Sequence, residues 1–364
     1  IYTVVSAAFS SDPYEEVQFL VERAEGTPPL LIAVRAEWSA RDPGGAEAAE
    51  LEAFLAGVPG LSYQEISTGY AGYRAYTLWY EQPLDHDDPG AGTFVQKMVL
   101  HHKQRGAPLV LYTSGYSLYF DDYLAELSEA MGANQLSTEQ RFFGGSMPRE
   151  MTPEHWRFVN IRQAASDHHR MVEALKPFYG GAWLNTGHSK GGMTSIYHRR
   201  FFPDDVDATI AYVAPISFGL EDPRYIPFLD QIGEPACRDQ VRALQRAMLA
   251  NFAAIQPELE QQAEGETFVR AGGHAAALEK TIVDYEWGFW QGQGIEGCER
   301  LPDPEMDAEE LLEWVTSYMG TSWGDSGHEW MTAYYYQALT ELGLQGMATA
   351  HLEELLQYAD VPYD

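Results

Sequence analysis

The stretch Trp183-Leu184-Asn185-Thr186-Gly187-His188-Ser189-Lys190-Gly191-Gly192-Met193-Thr194 decides how this chain is read. A short strand is predicted over 182–185, and a helix over 189–202, closed by Pro203. Between them stands Gly-x-Ser-x-Gly, from Gly187 to Gly191. The pattern is weak by itself. Placed after a strand and at the opening of a helix, it has the context of a nucleophile elbow. Such a sharp turn strains the serine backbone and needs flanking residues without bulk, which the glycines provide. The Ser189 hydroxyl would then stand at a helix start, where free N–H groups and the helix dipole favour developing negative charge. The plain alternative is a Gly-rich turn. A phosphate loop needs Gly-x4-Gly-Lys-Ser/Thr, and the order here differs.

Working outward, 108–113 (Pro-Leu-Val-Leu-Tyr-Thr) is a short apolar run typical of a strand covered on both faces. The loop after it is Thr113-Ser114-Gly115-Tyr116. An oxyanion hole needs two backbone donors, and these are assigned to the N–H groups of Lys190 and Tyr116. A helix over 163–175 and a buried strand over 208–214 complete a strand–helix alternation across 108–217. That alternation predicts a parallel sheet with crossover helices. Upstream, 73–80 and 93–101 alternate like half-buried strands, 46–55 forms a short helix, and 3–9 and 29–34 are strand-like around an acidic spacer. From 219 to about 345 helical periodicity and dense aromatics predict a helical insertion. The expected division is an N-terminal extension (1–45), an α/β core (46–218), a helical cap (219–345) and a return toward the core (346–364).

The chain carries 23 Lys+Arg against 54 Asp+Glu, a net charge of −31. A folded chain of this size exposes on the order of 15,000 Å². That surface would carry roughly one net negative charge per 500 Å². Such a field repels phosphate backbones and anionic membrane surfaces, so no nucleic-acid or membrane partner is expected. No run reaches the ~18 apolar residues of a membrane span. The chain begins at Ile1, so a leader would already be gone. The two cysteines, Cys237 and Cys298, are either a disulfide or two buried thiols. No spacing suggests a metal site, and no cofactor is expected.

Further blocks accompany the elbow: Gln82-Pro83-Leu84-Asp85-His86, Glu139-Gln140-Arg141-Phe142-Phe143, Asp167-His168-His169-Arg170, Tyr212-Val213-Ala214-Pro215, Trp287-Gly288-Phe289-Trp290-Gln291 and Tyr334-Tyr335-Tyr336-Gln337. With them the sequence resembles the S37 family of secreted serine peptidases, the prolyl and tripeptidyl aminopeptidases, from about residue 48 onward. The resemblance implies an α/β-hydrolase fold with a helical cap, secretion, and a disulfide between Cys237 and Cys298. It also implies acyl transfer through Ser189 to cleave peptides near their N-terminus. Cap residues would bind the substrate: Trp290 as an aromatic wall, Glu341 or Glu286 at the free amino terminus.

Two departures stand out. His188 precedes the nucleophile, where the family more often has Gly; its ring is expected to point away from Ser189. The family's Asp and His turns, on the last core strands, do not occur in this chain. They are therefore expected beyond Asp364, in a longer protein or on a second polypeptide. His328 with Asp325 is a cap-supplied substitute, and the other histidines read as structural. The Lys190 side chain is expected to run along its helix, away from any dyad with Ser189. The alternatives to a peptidase are an esterase or polyester hydrolase on the same elbow, or a hydrolase-like binding protein.

Overall fold

The computed structural model describes residues 17–21, 30–34, 45–263, 265–319 and 324–358. At 17–21, 30–34, 258, 259, 262, 315, 316, 318, 319 and 327–330 it describes the backbone alone. The chain divides into two units, Ile1–Pro215 and Ile216–Asp364.

The first unit opens with an antiparallel pair, β1 (Val17–Val21) and β2 (Leu30–Val34). The first of these falls in the stretch read as a spacer, while the strand expected over 3–9 lies outside the described residues. Next comes α1 (Gly45–Gly57), whose buried Ala48, Leu51 and Leu55 recur at helical spacing. The elements that follow are β3 (Leu61–Ile66), β4 (Arg74–Pro83), β5 (Thr93–His102), β6 (Leu109–Thr113), α2 (Glu126–Met131), β7 (Asn134–Thr138), α3 (Ile161–Leu175), β8 (Trp183–His188), α4 (Lys190–Phe201) and β9 (Ala208–Tyr212).

Seven of these strands form one sheet in the order β3-β4-β5-β7-β6-β8-β9. Neighbours from β3 to β7 run antiparallel, and from β7 to β9 parallel. Strand side chains alternate between faces. Leu109 and Leu111 therefore join the cluster holding Leu51 and Leu55 of α1 and Met171, Val172 and Leu175 of α3. Val110 joins Leu127 and Met131 of α2 instead. The parallel half is thus covered on both faces, as an α/β-hydrolase core requires.

Strand β7 escaped the sequence reading because Asn-Gln-Leu-Ser-Thr is polar, yet all five residues are buried. Their polar groups are satisfied locally. Asn134 Oδ1 accepts from Lys103 N at 2.7 Å, and Gln135 Oε1 accepts from Ala125 N at 2.8 Å.

The second unit is helical: α5 (Tyr225–Leu229), α6 (Pro235–Ala250), α7 (Phe252–Gln262), α8 (His274–Gly292), α9 (Ala308–Met319) and α10 (Asp325–Gln337). A π-helical turn over Ala338–Leu342 extends the last helix, and two-residue strands at Glu221–Asp222 and Leu344–Gln345 pair in parallel. Its core gathers Val241, Leu244, Met248, Ile282, Tyr285, Phe289 and Leu311. Cys237 and Cys298 are joined by a disulfide, with Sγ–Sγ 2.04 Å. The stretch 346–364 is the one expected to return toward the core. Within its described part, Leu352 is buried in this helical core. Glu279 there accepts from the backbone N–H groups of Gln357 and Tyr358.

Candidate active site

The strand order reverses direction at the elbow. From β6 the chain moves to β7 on one side of β6, then returns to β8 on the other. Loops at the carboxyl ends of strands flanking such a reversal diverge and leave room for a ligand. Gly115 and Tyr116 follow β6, and Ser189 follows β8.

Ser189 has φ 53° and ψ −124°, one of three non-glycine residues with positive φ among those described. The turn is tight enough to exclude any side chain beside it. A Cβ on Gly191 would lie 2.2 Å from Thr113 O, and one on Gly187 2.5 Å from the same oxygen. A Cβ on Gly115 would lie 2.5 Å from Gly191 N. The Thr113 hydroxyl stitches the junction, 2.7 Å from Gly191 O and 2.8 Å from Ser195 Oγ. The Ser189 amide donates to Tyr212 O at 3.0 Å, tying the elbow to the end of β9.

Helix α4 begins its bonding with Met193 N to Ser189 O, so the Lys190 N–H precedes that ladder. The Tyr116 N–H makes a 3.2 Å bond to Ser114 Oγ, at the long end of the usual range. Its carbonyl accepts from Gln140 N at 2.9 Å, which holds the backbone in place.

The Lys190 side chain does not run along its helix. It is buried, and its Nζ donates to Gly115 O. The ammonium lies 5.2 Å from the Tyr116 ring centroid and 4.9 Å from that of Phe143. Burial pushes it down to about 7. Sequence reasoning missed this contact; the available signal was a lysine in an otherwise small and apolar turn.

Among the described residues Ser189 Oγ has no hydrogen-bond partner, and the histidines with described side chains are engaged elsewhere. His188 stacks on Tyr212 at 4.7 Å. His86 Nε2 lies 2.7 Å from Asp167 Oδ1, and Arg141 grips both oxygens of that carboxylate at 2.7 Å. Burial would raise Asp167, but the charge and hydrogen bonds of Arg141 outweigh it and hold the carboxyl low. His198 Nε2 and His169 Nδ1 both reach Asp205, and Asn185 Nδ2 fills His198 Nδ1. His168 reaches Thr138, His101 reaches Asp122, and His351 reaches Gln245. The Asp325 carboxylate accepts from Thr267 Oγ1 and from the amides of Val269 and Arg270, a loop-closing role. The side chain of His328 lies outside the described residues.

In the second unit, Glu286 is buried and bound to Arg242 Nε at 2.9 Å, with Oε2 buried and unpartnered among the described residues. Trp290, expected as an aromatic wall, is 6% exposed and packs in the helical core against Phe289. Glu341 is exposed on the π-helical turn. The described residues hold no group of three metal-ligating side chains, and none of their helices is long and apolar enough to cross a membrane.

Residues 45–363 match the PS-10 peptidase S37 family. The chain is 40% identical over 308 residues to the prolyl tri/tetrapeptidyl aminopeptidase of Streptomyces mobaraensis, covering 84% of this chain and 64% of that protein. It is 29% identical over 153 residues to the thymus-specific serine protease of Mus musculus, covering 38% of this chain and 30% of the relative. It therefore spans less than two thirds of either relative. The X-ray structure of Candida Antarctica lipase A aligns at TM-score 0.31 and 9% identity, over 71% of this chain and 58% of that one. With the match running across nearly every described element, the chain belongs to the S37 family of peptidases.

Proposed function

We propose that the chain supplies the nucleophile and oxyanion hole of a secreted serine peptidase that cleaves peptides near their N-terminus. The observation that carries this is Ser189 on its strained, glycine-walled turn at the sheet's reversal point. The name of the Streptomyces relative supports prolyl tri- or tetrapeptides as the substrate class.

In this reading Ser189 Oγ attacks the scissile carbonyl carbon. A histidine takes the hydroxyl proton and returns it to the departing amine, and water then releases the acyl group. The N–H groups of Lys190 and Tyr116 hold the oxyanion, the latter releasing its long bond to Ser114. The histidine and its acid come from strands that continue the sheet beyond β9, past Asp364 or on a second polypeptide. Two observations support this: the second edge of β9 has no partner among the described residues, and Ser189 Oγ lacks a base among them. Of the two acidic candidates for meeting an amino terminus, Glu341 is exposed and Glu286 is buried. The disulfide and the −31 charge support an oxidising, extracellular setting.

The test is labelling of the native protein with a fluorophosphonate, beside assays with a peptidyl-prolyl chromogenic substrate and an aryl ester. Labelling at Ser189 with release from the peptide is expected. No label on Ser189 overturns the enzyme reading. Label with ester turnover alone overturns the peptidase part.

A further inference from the structure

We propose that Lys190 positions the oxyanion hole through its side chain as well as its backbone, by holding the peptide unit that joins Gly115 to Tyr116. This rests on the reading of Ser189 as nucleophile and deepens it.

A trans peptide unit is planar, and its C=O and N–H point in opposite directions. The bond between Gly115 and Tyr116 is such a unit, since the described chain contains no cis peptide. Its oxygen, Gly115 O, receives the buried Nζ of Lys190. Its nitrogen is the Tyr116 N–H, the second oxyanion donor. A grip on one end of a rigid plate fixes the direction of the other end. The same residue offers the first donor, its own backbone N–H, so both donors are referred to one anchor.

Gly115 has φ 75°, a conformation open to glycine, and lacks a Cβ because Gly191 N would lie 2.5 Å from one. The Tyr116 N–H makes a 3.2 Å bond to Ser114 Oγ within its own turn.

The ammonium itself is placed at a cost. It pairs with no carboxylate among the described residues and faces the rings of Tyr116 and Phe143. A buried ammonium without an anion opposes folding. A lysine kept only for stability would be replaced to advantage by an apolar side chain of similar length. Its placement at this spot fits a role in the reaction.

The experiment compares Lys190→Met and Lys190→Arg with the native enzyme, using a peptidyl-prolyl substrate, a prolyl boronate and the acyl-side cleavage product. For Lys190→Met, kcat should fall roughly 10- to 100-fold with KM nearly unchanged, a partial version of losing an oxyanion donor. Boronate affinity should fall by the same factor, because its tetrahedral adduct occupies the hole, while product affinity stays constant. The Tm should hold or rise. Lys190→Arg, which keeps the charge and the donors, should recover part of kcat. Native kcat in Lys190→Met overturns the proposal. So do equal losses of boronate and product affinity, and so does a kcat loss that tracks a fall in Tm in both variants. If Ser189→Ala also keeps full turnover, the nucleophile reading itself fails. If Ser189→Ala is inactive while Lys190→Met is not, only the positioning role fails.

Discussion

Around Ser189 the first unit meets main chain to main chain, with glycines pressed against carbonyls and a threonine hydroxyl tying strand to helix. The second unit is held by large side chains, Tyr285, Phe289, Trp290 and the leucines about them, and by the Cys237–Cys298 bridge. The first kind of contact has no slack: an added methyl has nowhere to go. The second tolerates rearrangement, because side chains can change rotamer where backbone cannot. The contrast teaches that the turn carrying Ser189 is shaped by close backbone packing.

The sharpest way to break the comparison is Gly191→Ala. Its Cβ would sit 2.2 Å from Thr113 O, so the loss should exceed about 5 kcal/mol, enough to leave little folded protein. Gly294→Ala in the second unit, at φ 58° with nothing within 4 Å, should cost only about 1–2 kcal/mol. Urea denaturation of the two variants measures this, and similar midpoints would erase the contrast.

Arg141→Met comes next. It strands the buried Asp167 carboxylate and should cost about 3–5 kcal/mol at neutral pH. In the native protein Asp167 is held low, so its contribution is present above the unfolded carboxyl value of about 4 and disappears as pH falls through the folded one. The variant's deficit should therefore be largest near pH 7 and shrink toward pH 3. A deficit independent of pH would refute the ion-pair account.

Replacing Cys237 and Cys298 with serine should cost ~2–4 kcal/mol by freeing a long loop of the unfolded chain. The loss should appear as faster hydrogen exchange in α6 and α8, with fluorophosphonate labelling of Ser189 at its native rate. A slowed label would mean that the two kinds of contact are not separable.

What could be read in advance follows the same line. The elbow was legible because a backbone that excludes side chains writes itself as glycine at fixed spacing, Gly187, Gly191 and Gly192. The parallel strands were legible as apolar runs. Strand β7 was not, since Asn134 and Gln135 satisfy their polar groups inside the fold and look like loop residues. The reach of Lys190 to Gly115 was not, because it joins residues 75 apart. Nor was the burial of Glu286, whose partner Arg242 comes from α6. Contacts across space between variable side chains leave no periodic mark.

The Thr113 stitch has one more consequence. Main-chain atoms and a single short hydroxyl set the turn that carries Ser189, so side chains away from it can vary without moving it. Their identities can drift under selection for new substrates while the attacking group stays where it is. In such an arrangement specificity and reactivity are inherited on different residues, and one can be redesigned without disturbing the other.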